Sequence, residues 1–151
     1  MKIACLPFNP IQENTYVVWD DTKECVVIDA GNCSPREDAA LDDFIGRQGL
    51  KPVLAANTHG HFDHTLGVGH LKQRYGIPFA LSEKDRFLLD NAAVSGSLFG
   101  VKTGPMPAID RDLDAETEIR FGNSVLRILR TPGHTPGHVA FYEPESKALF
   151  T

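Results

Sequence analysis

Short apolar runs dominate the start of the chain. Lys2 to Phe8, Thr15 to Trp19 and Glu24 to Ile28 are rich in valine, isoleucine and aromatic side chains and are separated by Asn9-Pro10 and Asp20-Asp21. Runs of this kind, broken by turn formers, predict an antiparallel β-meander. The spacing then changes to that of a helix. Ser34-Pro35-Arg36-Glu37 puts serine at an N-cap, proline at the first helical position and glutamate three residues after the cap, a combination that satisfies the free amides of a first turn. Leu41, Phe44, Ile45 and Gln48 keep the helical spacing until Gly49, a residue suited to the left-handed C-cap. Pro52 to Ala56 is an unbroken apolar run, which predicts a short strand covered on both faces.

In the second half, Leu66, Leu71 and Tyr75 predict a helix that Gly76 and Pro78 end, with Gly67 and Gly69 inside it as a cost. Phe79-Ala80-Leu81 reads as another strand, and Ser82 caps a helix carrying Phe87, Leu88 and Leu89. Val94 to Ala108, with its repeated glycines and the apolar Leu98, Phe99 and Met106, reads as a long loop, either a lid or a mobile connection. Thr117 to Phe121 and Ser124 to Arg130 flank Gly122-Asn123, a hairpin signal. Val139 to Tyr142 and Ala148 to Phe150 complete a second meander.

Length and composition narrow the class. A chain of 151 residues suits one domain, residues 1–151, that buries about two-thirds of its unfolded surface. Hydrophobic and charged fractions of 42% and 23% are those of a soluble globular protein and exclude disordered and fibrous classes. The balance of 15 Lys+Arg against 20 Asp+Glu, with the basic residues scattered, argues against a nucleic-acid partner. Pro7 and Pro10 interrupt the N-terminal apolar stretch, and no apolar run is long enough to span a membrane, so the expectation is a cytoplasmic protein without a membrane partner. Cys5, Cys25 and Cys33 are odd in number with no C-x-x-C spacing. Disulfides are therefore not expected. Cys5 and Cys25 read as small buried hydrophobes, and Cys33, in a turn, as the candidate reactive thiol.

The candidate chemistry lies directly after the Pro52 to Ala56 run. His59-Gly60-His61-Phe62-Asp63-His64 packs four candidate metal ligands into six residues. Neutral imidazole and carboxylate are the donors a borderline divalent cation such as zinc prefers, and a catalytic zinc takes about three protein ligands plus an open position. Gly60 suits a tight loop that wraps an ion rather than one face of a helix. Much later, Thr131-Pro132-Gly133-His134-Thr135-Pro136-Gly137-His138 carries two Pro-Gly pairs, which stiffen a loop able to present His134 as one more ligand. Asp29 at a strand end is a candidate carboxylate supporting the ligands, or a turn residue. His70, on a predicted helix, reads as a packing or solvent-facing histidine.

With both loops in this order, the chain resembles the metallo-β-lactamase superfamily and, within it, the glyoxalase II-like (hydroxyacylglutathione hydrolase-like) hydrolases. The resemblance extends over essentially the whole length. It implies an α/β (α+β) fold: an αββα four-layer sandwich of two packed mixed β-sheets with outer helices, its C-terminal portion truncated here. It also implies that His59, His61 and His134 hold a first metal, that Asp63 and His64 form part of a second metal's shell, and that His64 marks the thioesterase side of the family. In the family the strand ending here in Ala148 to Thr151 runs on into a Gly-Asp whose aspartate bridges the metals, and a last histidine follows. The 151 residues include neither, so the expectation is a weakly held second ion and exposed apolar sheet surface that invites association into a homo-oligomer.

The activity the resemblance implies is hydrolysis of a thioester of the acylglutathione type by metal-activated hydroxide. The substrate is then a small-molecule thioester or related acyl compound. Asp63 is the catalytic residue that takes the water's proton, and the cofactor is zinc, two ions in the complete site, with iron or manganese as alternatives. Three other readings stay open: a mononuclear-iron persulfide dioxygenase, a lactonase, and a catalytically incomplete metal-binding domain. His138 is expected to brace its loop through a hydrogen bond, and Thr58 and Thr135 to support ligands.

Overall fold

The computed structural model describes residues 1–151. Its first sheet opens with the predicted meander: β1 (Lys2–Phe8), β2 (Glu13–Trp19) and β3 (Glu24–Ile28) pair antiparallel in order. β2 starts two residues before the predicted run, so that Glu13 and Asn14 already pair with Phe8 and Pro7. Helix α1 (Pro35–Gln48) then crosses over, and β4 (Lys51–Ala56) joins β3 in parallel. The Ser34 hydroxyl accepts from the Glu37 amide at 3.3 Å, and Gly49 closes α1 at φ 64°. Both caps are those the sequence predicts. β5 (Phe79–Leu81) and the two-residue β6 (Arg111–Asp112) extend the parallel part, giving the order β1-β2-β3-β4-β5-β6. The second sheet, β10-β9-β8-β7, is built from β7 (Glu118–Phe121), β8 (Ser124–Arg130), β9 (Val139–Glu143) and β10 (Ala148–Phe150), all antiparallel. Only the first sheet is therefore mixed.

Alternation along the strands explains the layering. Val17, Trp19, Cys25, Val27 and Ala55 face one way and pack with Leu41 and Ile45 of α1. Their neighbours Val18, Val26, Ile28, Leu54 and Ala56 face the other way and pack against Ile119, Leu126, Ile128 and Phe141 of the second sheet. Strands covered on both faces must be apolar at successive positions. Every α-helix precedes β6 in the chain. The outer face of the second sheet carries the exposed Leu129 and Leu149. No helix is long and apolar enough to cross a membrane.

Three local predictions change. The helix predicted over Leu66 to Tyr75 starts later, as α3 (Val68–Tyr75), and a separate turn of helix, α2 (Phe62–Thr65), precedes it. The break falls at Gly67, where the Asn32 side chain occupies the space a Cβ would need. The stretch read as a loop from Val94 to Ala108 begins within helix α5 (Ala92–Leu98), which follows α4 (Arg86–Asp90). Its glycine-rich composition hides a short helix held by Phe62, Ala92 and Val101 packing together. Finally, Cys5 is exposed rather than buried, because β1 is the edge of its sheet.

Cys25 is buried as predicted, and burial pushes its thiol up to about 12. Burial also raises the exposed Cys33, to about 11. Since the thiolate is the reactive form, native protein treated with iodoacetamide should slowly take at most two adducts by intact mass, and a third only after denaturation. A third adduct on folded protein would contradict the placement of Cys25 on the helix-covered face of β3. His70 is fixed rather than free: its Nε2 lies 3.0 Å from Asp42 and its Nδ1 3.6 Å from Asp38, tying α3 to α1.

Candidate metal centre

The first ligand loop starts from a rigid anchor. Beyond β4, Asn57 and Thr58 are fully buried. The Asn57 amide donates to the Ala80 carbonyl at 3.0 Å, and the Thr58 carbonyl accepts from the Val139 amide at 2.9 Å. The chain leaving the first sheet is thus held between β5 and the first residue of β9. The amide and hydroxyl of Thr58 both donate to Asp29, each at 2.7 Å. Asp29 sits at φ 51° directly after β3, a left-handed conformation that aspartate tolerates better than most residues. It is both the turn residue and the supporting carboxylate.

This anchor sets the tautomer of His59. A hydroxyl carries one proton, and that of Thr58 is given to Asp29. The 3.0 Å contact from Thr58 Oγ1 to His59 Nδ1 must then run from an Nδ1–H to the oxygen. Nε2 is left with a free lone pair, and it is buried with no partner inside the protein. Burial, reinforced by the surrounding imidazoles, pushes His59 down to about 2, so the ring is neutral.

The ring stands against two other imidazoles. Ring centroids are 4.8 Å apart for His59 and His61, 4.8 Å for His59 and His134, and 4.7 Å for His61 and His134, with interplanar angles of 88°, 74° and 80°. One nitrogen from each ring lies within 4.8 Å of the others. Three steeply inclined rings converging on one point, one of them with an orphaned buried lone pair, fit a divalent cation with a side open to solvent. His59 is buried, His61 intermediate and His134 exposed. Burial, with the neighbouring His134, also lowers His61.

Asp63 and His64 stand beside this triangle, on α2 rather than in an extended loop. The His64 ring is 4.1 Å from that of His59, but its Nδ1 turns toward a second group, 3.2 Å from Asp29 and 3.8 Å from Glu13. Its Nε2 is 3.6 Å from Asp63. Burial alone would lower His64, yet Asp29, Asp63 and Glu13 together outweigh it and raise its pKa. Burial, with Asp29 and Asp63 adding to it against His64, pushes Glu13 up to about 8. The structure therefore brings His59, His61 and His134 together, while His64 joins a separate group with Glu13 and Asp29, and Asp63 stands beside it. Asn9 and Asn57 hold α2 in place by donating to the carbonyls of Asp63 and His64, at 3.0 and 2.6 Å.

The second loop closes on itself. Thr131 donates its amide to the His138 carbonyl at 3.0 Å, and its hydroxyl meets His138 Nδ1 at 2.8 Å, the brace expected of His138. Thr135 does not touch a ligand; its hydroxyl donates to Asp85 at 2.6 Å. Asp85, Glu13, Asn9 and Asn57 are the polar contributors that no sequence pattern singled out. Each is isolated in the sequence among residues of another element, so only the tertiary fold relates it to the loops.

Comparison with known proteins agrees with this geometry. Residues 8–151 match the model of the metallo-β-lactamase superfamily. Hydroxyacylglutathione hydrolase GloC of Haemophilus influenzae is 35% identical over 153 residues, covering 100% of this chain and 70% of that protein. Among solved structures, the B3 metallo-β-lactamase BLEG-1 superposes with a TM-score of 0.84 at 33% identity, covering 98% of this chain and 70% of that one. TTHA1623 in a di-iron-bound form gives a TM-score of 0.82 at 32% identity, over 97% and 69% of the two chains.

Proposed function

Because the chain belongs to the metallo-β-lactamase superfamily, a family of metal-binding hydrolases, we propose that it hydrolyses a thioester of the acylglutathione type. The observation carrying the metal dependence is the meeting of three imidazoles, one of which, His59, keeps a buried Nε2 with no partner. The substrate class is supported by the relative named hydroxyacylglutathione hydrolase, 35% identical over 70% of its own length.

In this reading His59, His61 and His134 hold one cation, and Asp63 and His64 contribute to the surroundings of a second. When bound, such a cation supplies Lewis acidity, bringing the ionisation of a water near neutral pH and stabilising negative charge on a carbonyl oxygen. The residues do the rest. Asp29 and Thr58 keep the proton on Nδ1 of His59, so that Nε2 never competes as a donor. Asp63, partly exposed beside His64, takes the proton of the attacking water. A thiolate leaves without help from a strong acid. Zinc is the cation an all-imidazole triad favours; the di-iron form of one relative makes iron the alternative to measure.

The test is metal content per chain, followed by three assays on the loaded protein: thioester cleavage with a 2-hydroxyacyl glutathione, lactone opening, and oxygen uptake with glutathione persulfide. Zinc together with thioester turnover that ethylenediaminetetraacetate abolishes is the expected result. Iron with oxygen uptake would replace this reading with persulfide dioxygenation, lactone opening alone would replace the substrate class, and metal binding with no turnover would leave a binding domain.

A further inference from the structure

Asp85 connects the two ligand loops. It ends a 3-10 turn (Glu83–Asp85) after β5, far in sequence from both loops, and is fully buried. One carboxylate oxygen accepts from the Gly60 amide at 3.0 Å and from the Thr135 hydroxyl at 2.6 Å; the other accepts from the Gly137 amide at 2.7 Å. Gly60 lies between His59 and His61, Thr135 follows His134, and Gly137 precedes His138. A single side chain therefore fixes the backbone on both sides of the imidazole triangle.

The glycines give independent support. Neither Gly60 nor Gly137 has a positive φ, so neither is needed for a left-handed turn. Space is the reason instead. A Cβ on Gly60 would lie 3.0 Å from the Cβ and 3.0 Å from the carbonyl oxygen of Asp85, and one on Gly137 would lie 2.8 Å from Asp85 Oδ1 and 2.5 Å from Ser82 Oγ. Both ligand motifs carry glycine where their backbone comes against the same turn. The chemistry of the carboxylate matters too. It forms no ion pair, since the neighbouring Arg86 is committed to Glu83. A carboxylate offers acceptors on both oxygens to three converging donors; an amide would turn an NH2 toward one of them.

We propose that Asp85 is a positioning residue for the metal centre: it holds the Gly60 and Gly137 loops at a fixed separation, so that His59, His61 and His134 converge before a cation arrives. The inference rests on the reading that these histidines bind the cation. Residues that orient ligands in this way typically change metal affinity 10–100-fold when removed, by about that factor in other proteins.

The test compares the wild-type chain with Asp85→Asn and Thr135→Val. Zinc affinity is measured by chelator competition, coordination by the visible spectrum of the cobalt-loaded protein, and the loops by amide hydrogen exchange at Gly60 and Gly137 without metal. Folding is checked by circular dichroism. The expected result is a folded Asp85→Asn with faster exchange at both glycines, an altered cobalt spectrum and zinc affinity lower by about tenfold or more, with a smaller loss in Thr135→Val. Wild-type affinity and spectrum in a folded Asp85→Asn would overturn the proposal. If that variant does not fold, unchanged affinity and spectrum in Thr135→Val would do the same. Failure of the metal reading itself looks different: the wild-type chain would bind no zinc while Asp85→Asn still lost amide protection.

Discussion

Alanine at His59 is expected to lower thioester turnover by about a thousandfold or more, to prevent tight zinc binding, and to leave the metal-free fold nearly as stable as before. The three effects have separate causes. Two imidazoles are too few for a catalytic zinc, which takes about three protein ligands. The lost Lewis acidity is worth several kcal/mol in the barrier, and each 1.4 kcal/mol is about tenfold in rate. Stability is spared because the imidazole is an electrostatic compromise in the metal-free chain. Its Nε2 is buried without a partner, and leaving a polar group in that state costs about 1–3 kcal/mol. Removing it offsets the lost 3.0 Å contact between Nδ1 and the Thr58 hydroxyl, which can keep its bond to Asp29. Zinc per chain, kcat/KM on the acylglutathione and the unfolding midpoint measure the three effects. Full activity in His59→Ala would sink the metal mechanism, and collapse of the metal-free fold would show that His59 is structural first.

Much of this site was legible in the sequence because its ligands are local. His59, His61, Asp63 and His64 fall within one short stretch, and His134 sits in a loop stiffened by Pro132-Gly133 and Pro136-Gly137. The strands were legible for a similar reason. Alternating faces, as at Val17 and Val18 or Val26 and Val27, leave a dense apolar run when both sides are covered. What stayed hidden depends on tertiary approach. Gly67 looked like a flaw inside one helix, but it is a break made by the arrival of Asn32. β6 is two residues long, too short to show any period. Asp85 carries no signal of its own, since an aspartate ending a turn after a strand is ordinary until three donors from two distant loops meet it. Glu13 is similar: a charge beside an apolar strand reads as solvent-facing, and only its burial against Thr15 and His64 shows otherwise.

Phe141→Ala is expected to do the reverse of His59→Ala, weakening the fold while leaving the metal ligands in place. Phe141 is fully buried in β9 and faces the layer between the two sheets, opposite Ile128 on one neighbouring strand and Phe150 on the other. Truncating a buried phenylalanine costs about 3–5 kcal/mol, as lost transfer energy plus the cavity left behind. Against a total stability of about 5–15 kcal/mol, that is a large share, and at about 2–4 °C per kcal/mol for a chain of this size the midpoint should fall by roughly 10 °C. The site would feel it through one link: β9 begins at Val139, whose amide donates to the Thr58 carbonyl at 2.9 Å. Zinc separates the two variants. A ligand that binds only the folded state adds stability by mass action, about 2.7 kcal/mol at a hundred times its dissociation constant. Denaturant unfolding with and without zinc should therefore show the same upward shift in wild type and Phe141→Ala, from a lower start in the variant, and almost none in His59→Ala. A loss below about 1 kcal/mol in Phe141→Ala would mean that the two sheets are not tightly packed at that position, and that something other than their contact holds the His134 loop over the first sheet.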